Sequence, residues 1–465
     1  MLSPVEAELV GSDEDIKSLL AQVLVEVGEL REENRQLRER VSELEDEVLE
    51  ARRAAKRQAA PFRRKEKIPQ EKQKKSGRKV GHEPAFREPP QQVDRTIEVS
   101  LDRHCPDCGS TLEDERSHEH YVVDIPPILP VTTKYITKSA SCPCCNQRWN
   151  SAHPSLPSFA TGSAGVMIGP GAVALAAQMR AEFGAPFRKI SSFLSTALNL
   201  RVSASGVLGL LKRAAKSLET SRNSIIGELR SSSRVCVDET SWRLCNEGAW
   251  AWVFASDKET HYVIDKSRGH QVVKEVLGSD FDGFLQSDCF GAYMPLRYKK
   301  SKCLGHLIKS LVAIEEVQKD SSASRFPKMA LKILRDALKL RDEEEKLSDK
   351  EYQVAAWRLE RRLDRLLARR TKSDHDRRLA NRMRRYRHEW FPFLYYEDVD
   401  ATNNLAERQI RPFVLCRKIS SGNRSEWGAE LQATIMSVFA TCRQRGQDFV
   451  ATLTAALGQP ETAHL

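Results

Sequence analysis

The sequence predicts a multidomain α/β protein, and three observations predict it. Near the N-terminus apolar residues recur every seven positions and give way to a run of lysine and arginine. Two Cys-x-x-Cys turns follow. After Ser231 the pattern changes from helical to extended, with several short apolar segments in a row. At 465 residues the chain is too long for one ordinary core, so several modules are expected.

Composition narrows the partner before any motif is read. Lys+Arg number 74 against Asp+Glu 64, a net charge of +10, and a basic surplus gathered on one surface favours a polyanion through counterion release. No apolar run approaches the ~20 residues of a membrane span, and no charged-then-apolar leader precedes a small-residue cleavage site. A cytoplasmic, nucleoid-associated protein is expected, with no membrane partner. Its eleven cysteines then serve metal ligation or ordinary burial rather than a disulfide framework.

The heptad lies in residues 13–51. Leu20, Val27, Val41 and Val48 occupy one core position, and Ile16, Val23, Leu30, Leu37 and Leu44 the other. Asn34 interrupts the first series, where a buried amide pair specifies a parallel two-stranded register. A homodimer or higher oligomer is expected from this coiled coil. Residues 52–90 form a basic linker, with thirteen Lys or Arg between 52 and 79 against Glu66 and Glu71. Such a segment cannot bury a core, and its Arg78 and Lys79 are candidate phosphate contacts.

Residues 91–155 carry Cys105-Pro-Asp-Cys108 and Cys142-Pro-Cys-Cys145. Each knuckle puts two thiolates on a tight turn, so Cys105, Cys108, Cys142 and Cys145 would close a structural Zn2+ site of zinc-ribbon type, with Cys144 a possible substitute. Strand-like text at residues 121–124 and 131–137 supports that reading. Residues 160–225 read as a helical, helix-turn-helix-like DNA-binding region, with one helix from Pro186 and a second capped by Ser203.

Three strand candidates open the next segment, 230–315: Arg234 to Asp238, Ala249 to Phe254 and His261 to Asp265. A short helix from His270, a fourth strand ending at Asp288 and a fifth near Lys302 follow. Three strands, a helix and further strands is the order of an RNase H-like core. Asp238 and Asp288 each close an apolar strand, and in such a sheet the first and fourth strands are neighbours. Two carboxylates brought together there are costly to bury alone and suit hard divalent cations. Glu239, Asp280 and Asp282 read instead as turn or cap residues. Residues 316–395 are rich in Lys, Arg, Glu and Leu, with Leu359, Leu363, Leu366 and Leu367 at helical spacing, and form an α-helical insertion. The core resumes at 396–458, where a helix opening behind Thr402 and Asn403 would project Glu407 toward the sheet as a third carboxylate. Two Mg2+ (or Mn2+) ions on three carboxylates suit in-line displacement at phosphorus. Arg408, Arg411, Arg417 and Lys418 would lie near the phosphates.

The segments Val237-Asp-Glu-Thr-Ser-Trp242, Ser287-Asp-Cys-Phe-Gly-Ala-Tyr293, Cys303-Leu-Gly-His306 and Asn403-Asn-Leu-Ala-Glu-Arg-Gln-Ile-Arg-Pro412, followed by Arg417-Lys418, resemble the motifs of the insertion sequence 66 family of transposases over almost the whole chain. The resemblance implies a DDE enzyme of DNA transposition that binds the element's terminal repeats, cuts them and joins them to target DNA. It implies Asp238, Asp288 and Glu407 as the metal-binding catalytic triad, a structural role for Cys303 and His306, and accessory transposition proteins as partners. Cys289 stands where that family more often has Gly, and Arg417-Lys418 runs into Ile419 rather than Asn. Neither departure removes a proposed ligand. A sequence-specific DNA-binding regulator would account for the zipper, arm, ribbon and helical pair, but not for three converging carboxylates. A nuclease that cuts without joining, or an inactive remnant of an element, would share the triad.

Overall fold

The computed structural model describes residues 21, 24–37, 41, 88–114, 116–151, 153, 167–317, 325–371 and 373–458. Of the expected coiled coil, residues 24–37 are helical, with Leu24, Leu30 and Leu37 exposed. The remainder of that segment, and the basic linker through residue 87 with Arg78 and Lys79, lie outside the described residues.

Among the described residues of 88–151, β1 (Ser139–Ser141) pairs antiparallel with β2 (Arg148–Asn150), and a single antiparallel bridge joins His104 to Thr111. The strands expected at 121–124 and 131–137 do not form. Pro126, Pro127 and Pro130 remove amide donors there, and the valines that suggested strands stand in solvent, Val131 at 94% exposure. β-branched residues alone do not make a ladder.

Four helices follow: α1 (Pro170–Phe183), α2 (Phe187–Leu198), α3 (Ala204–Ser217) and α4 (Glu219–Ser231). The expected pair is α2 and α3. Asn199, left-handed at φ 52°, ends α2, and the Ser203 hydroxyl caps α3 by accepting the Gly206 N–H at 3.0 Å. Ile190, Leu194, Val207 and Leu211 on these helices share one core with the residues of the sheet. The pair is thus built into the α/β unit rather than set apart from it.

The sheet comprises β3 (Arg234–Leu244), β4 (Glu247–Ala255), β5 (Thr260–Asp265), β6 (Phe284–Ser287) and β7 (Lys299–Lys302), with α5 (His270–Leu277) between β5 and β6. Its order is β5-β4-β3-β6-β7; β3, β4 and β5 are antiparallel, and β6 and β7 run parallel to β3. β3 continues six residues past the expected end at Asp238. Its hairpin with β4 turns on Cys245 and Asn246, both at positive φ (53° and 67°), the two-residue geometry whose twist matches paired strands.

After β7 come α6 (Leu304–Val317), α7 (Arg325–Asp342), α8 (Asp349–Leu367) and α9 (Asp374–Arg385). Leu307, Leu311, Leu334, Leu359, Leu363, Trp390 and Phe393 make a second core distinct from that of the sheet. This helical unit begins packing at Leu304, earlier than the expected boundary at 316. The α/β unit resumes with α10 (Asn404–Ser420), α11 (Glu426–Gln444) and α12 (Phe449–Gly458). α10 lies on β3 and β4, and α11 runs along β5. Ser437 and Thr441, one turn apart on α11, accept the outward N–H groups of Tyr262 and Thr260 at 2.9 and 3.0 Å, so this edge of the sheet is capped by hydroxyls rather than left as a template for another strand. Among the described residues no helix is long and apolar enough to cross a membrane.

The return from α10 to the sheet depends on Gly422. Its φ is +149°, and a Cβ there would stand 2.2 Å from the Arg243 carbonyl oxygen. The next residue, Asn423, donates its N–H to that carbonyl at 2.9 Å and accepts the Trp242 indole N–H at 2.9 Å. Gly422→Ala is therefore expected to cost about 1–3 kcal/mol of stability, read as a lowered urea midpoint.

Candidate active site

Parallel pairing of β3 with β6 places Cys236 opposite Gln286. Asp238 and Asp288 each follow two residues later and so leave adjacent strands at the same level. Burial, then the charges of Glu239 and Asp288, push the Asp238 carboxyl up to about 7. Asp238 accepts the N–H of Glu239 at 2.9 Å and Asp288 that of Phe290 at 2.8 Å. Among the described residues neither carboxylate has a lysine or arginine within ion-pair distance.

The segment before α10 is fastened onto these two strands. Asn403 donates its side-chain amide to the carbonyl of Val237 at 2.9 Å and its backbone N–H to Cys303 Sγ at 3.2 Å. Gln286 donates to the carbonyls of Asp400 and Thr402 at 2.5 and 3.1 Å. Cys303 N–H reaches the Ser287 carbonyl at 3.0 Å, and Leu304 N–H that of Ala401 at 2.9 Å. Buried Arg234 grips Asp400 and Asp257 from below. These bonds fix where α10 begins, and Glu407 falls in its first turn.

His306, in the first turn of α6, lies among the acidic groups. Its Nδ1 stands 3.8 Å from Glu407 Oε1. Interaction with Cys303 raises the imidazole pKa above its usual range despite burial, and Glu407 and Asp288 add to the rise. His306 in turn favours the charged form of Asp238. The imidazole thus senses all three of Asp238, Asp288 and Glu407, and Cys303, His306 and Glu407 form a compact group of ligand atoms within 4.8 Å of one another.

One expectation changes. Glu239 is neither turn nor cap: it lies within β3, its side chain 3% exposed, held by Arg268 at 2.7 Å and by the Tyr293 hydroxyl at 2.6 Å. Arg268 is sandwiched between Trp250 and Phe290. Arg417, expected at a phosphate, spends its Nη1 on the hydroxyls of Thr240 and Ser241, at 2.9 and 2.7 Å, and so ties α10 to β3. Asp280 sits in a turn as expected, whereas Asp282 lies outside one and pairs with Lys299 at 2.9 Å. Arg408, Arg411 and Lys418 are exposed and share one face of α10 with Leu415 by helical spacing.

Lys302 went unnoticed in the sequence. It is buried at 1% exposure, and its ammonium donates to Ser287 Oγ and to the Asp288 carbonyl, both at 2.9 Å, with Tyr293 and Tyr386 around it and Glu389 at 3.8 Å. Burial pulls its pKa down. Its position at the end of an edge strand, among Lys299 and Lys300, disguised it as one of a solvated run. Lys302→Met is expected to leave the Asp288 carbonyl without its donor and to cost about 1–3 kcal/mol, measured by urea unfolding.

The cysteine knuckles are formed locally. Gly109 N–H bonds the Cys105 carbonyl and Asn146 N–H that of Cys142, both at 2.9 Å. The Ser110 hydroxyl lowers the Cys108 thiol pKa, and the amides of Cys145 and Cys144 lower that of Cys142. Among the described residues the two knuckles do not meet in one group of ligand atoms.

A family model described as "Transposase IS66 family" matches residues 165–431, more than half of the chain. The chain belongs to the IS66 family of transposases. The matched stretch contains Asp238, Asp288, Cys303, His306, Glu407 and the whole helical insertion of this IS66-family protein. It is also similar to two proteins of Sinorhizobium fredii (strain NBRC 101917 / NGR234). The uncharacterized protein y4qI is 24% identical over 269 residues, 50% of this chain and 49% of that protein. The uncharacterized protein y4hP is 27% identical over 229 residues, 43% of this chain and 40% of that one. The matches span about half or less of the length of these curated relatives.

Proposed function

We propose that this IS66-family chain is a DDE transposase with an RNase H-like core, which binds the terminal repeats of its element, cleaves the DNA and joins the freed ends to a target. The reading is supported by Asp238 within β3 and Asp288 just past β6, which leave adjacent parallel strands at the same level, with His306 acting on Asp238 and lying 3.8 Å from Glu407 in the first turn of α10. The strand order, three antiparallel strands followed by two parallel ones, supports the same core.

The donor set fits a hard divalent cation. Two oxygen ligands without a fixed cationic neighbour, one of them pushed to a pKa near neutrality by burial and like charge, are what Mg2+ or Mn2+ would compensate. When bound at such carboxylates, metal ions lower the pKa of an attacking water or 3′-OH and stabilise the leaving oxygen. The chain's own part is to hold the carboxylates in place. Lys302 fixes the backbone at Asp288, Asn403 ties the start of α10 to the middle of β3, and Arg268 with Tyr293 keeps Glu239 engaged beside Asp238. The buried face of α10, Ala406, Ile410, Phe413 and Cys416, holds the helix that carries Glu407 against the sheet.

DNA is the partner that the surface suits. Arg408, Arg411 and Lys418 extend from Glu407 along α10, and exposed Trp357, Arg358, Arg361 and Arg365 line a groove on α8, with Arg361 over the Trp357 ring. Guanidinium groups interleaved with an aromatic ring suit phosphates and an unstacked base. The helical pair α2 and α3 would take part in reading the repeats, the coiled coil would pair two protomers, and Cys105, Cys108, Cys142 and Cys145 would hold a structural Zn2+.

The test is incubation of the intact protein with a labelled element-end duplex and Mg2+. Joined product is the expected result. Nicked but unjoined DNA would make the protein a nuclease, and binding without cleavage would make it a regulator.

A further inference from the structure

Cys303 and His306 are more than a structural pair. Cys303 closes β7, buried at 1% exposure. Burial opposes its ionisation, yet His306 and the Asn403 N–H outweigh burial and hold the thiol below its usual range. His306 Nδ1 is buried, makes no hydrogen bond, and stands 3.8 Å from Glu407 Oε1. One sulfur, one imidazole nitrogen and one carboxylate oxygen lie within 4.8 Å of one another.

Ligand chemistry distinguishes this group from the aspartate pair. Around a tetrahedral Zn2+ a nitrogen–oxygen edge spans about 3.3–3.5 Å and one that includes sulfur about 3.5–3.7 Å, so the His306 to Glu407 spacing of 3.8 Å needs to close by about 0.4 Å and the longest edge by about 1 Å at most. A thiolate, a neutral imidazole and a carboxylate balance a divalent charge. Mg2+ prefers oxygen alone, whereas borderline-soft ions favour sulfur and nitrogen. A ring nitrogen without a hydrogen-bond partner, beside a buried sulfur that accepts the Asn403 N–H at 3.2 Å, is the start of such a site.

We propose that Cys303, His306 and Glu407 form a second cation site, for a borderline-soft divalent ion such as Zn2+, whose occupancy takes Glu407 from the Asp238 and Asp288 pair and silences the centre. The silencing rests on the reading of Glu407 as third carboxylate; the binding does not. Zn2+ and Mg2+ then compete for one side chain, and a transposase loaded with Zn2+ holds its DNA without cutting it.

Co2+ titration of the full chain separates the two parts. A thiolate-to-cobalt charge-transfer band is expected in the difference spectrum between the intact protein and Cys303→Ser, which cancels absorption from Cys105, Cys108, Cys142 and Cys145. His306→Gln, at a partly exposed position, is expected to weaken that band's binding constant by about a hundredfold or more, since even groups outside the ligand set cost ten- to hundredfold. Asp238→Asn is expected to leave it in place. Identical Co2+ spectra from the intact protein, Cys303→Ser and His306→Gln would overturn the site. In the second part, Zn2+ is titrated into strand transfer driven by Mg2+, each variant scaled to its own zinc-free rate. The inhibiting concentration is expected to rise about a hundredfold in His306→Gln, and an unchanged value would overturn the silencing. A Cys303-dependent cobalt band in a protein that joins no DNA would uphold the metal site while removing the catalytic reading.

Discussion

Asp238→Asn, Asp288→Asn and Glu407→Gln are each expected to lower strand transfer by about a thousandfold or more while leaving binding of the element-end duplex within about threefold. Metal ions at such a site contribute several kcal/mol to the transition state, and each 1.4 kcal/mol is a factor of ten in rate. The replacements remove charge and keep shape, so the fold and the basic surfaces of α8 and α10 are retained. Electrophoretic mobility shift and joined-product assays on the same preparations check both halves. Joined product near the intact level from any of the three would remove that residue from the catalytic set. Equal loss of binding and joining would point to a damaged fold instead.

The second large effect runs in the opposite direction. In the absence of divalent metal, Asp238→Asn is expected to stabilise the protein at neutral pH. Burial, Glu239 and Asp288 raise the Asp238 pKa to about 7 in the folded protein from 3.8, so the native state holds a proton that the unfolded chain has released. The stability associated with that proton is fully present below about pH 4 and is lost as pH rises toward and through 7. At about 1.4 kcal/mol per unit the ceiling is a few kcal/mol, and a net gain of about 1–3 kcal/mol is expected for the amide. Melting curves in EDTA from pH 4 to pH 8 should fall for the intact protein and flatten for the variant. Added Mg2+ should recover the intact protein at pH 8 and do little for Asp238→Asn. Parallel curves would show that the folded site does not hold the proton. A group that weakens the fold until its ligand arrives is common at functional sites.

How far the sequence foretold the structure differs from element to element. Asp238 and Asp288 were legible because an apolar run met an acid twice, although β3 runs on through Asp238, and α3 was legible from its Ser203 cap. The second half of β3 was not: its hairpin turns on Cys245 and Asn246, without the glycine that usually signals such a turn. Residues 121–124 and 131–137 imitated strands through their valines, but a ladder needs a partner, and no local pattern reveals one. Glu239 looked like a neighbour of the important residue because its purpose lies in Arg268 and Tyr293, far along the chain. Lys302 was hidden likewise, since its burial is created by Tyr386 and Glu389 of the helical insertion.

The bonds that seat α10 also impose an order in time. Asn403 meets Cys303 one hundred residues away and Val237 at a separation of 166, so the cluster exists only once nearly all of the chain has been made. At roughly 5–20 residues per second, Glu407 leaves the ribosome roughly ten to thirty seconds after Asp238. An unfinished chain has no Glu407, the third carboxylate of the proposed centre, and its helices α1 and α3 still lack α11 and α12 to pack against. In the proposed transposase, synthesis itself delays the risk of breaking the template from which the protein is being expressed.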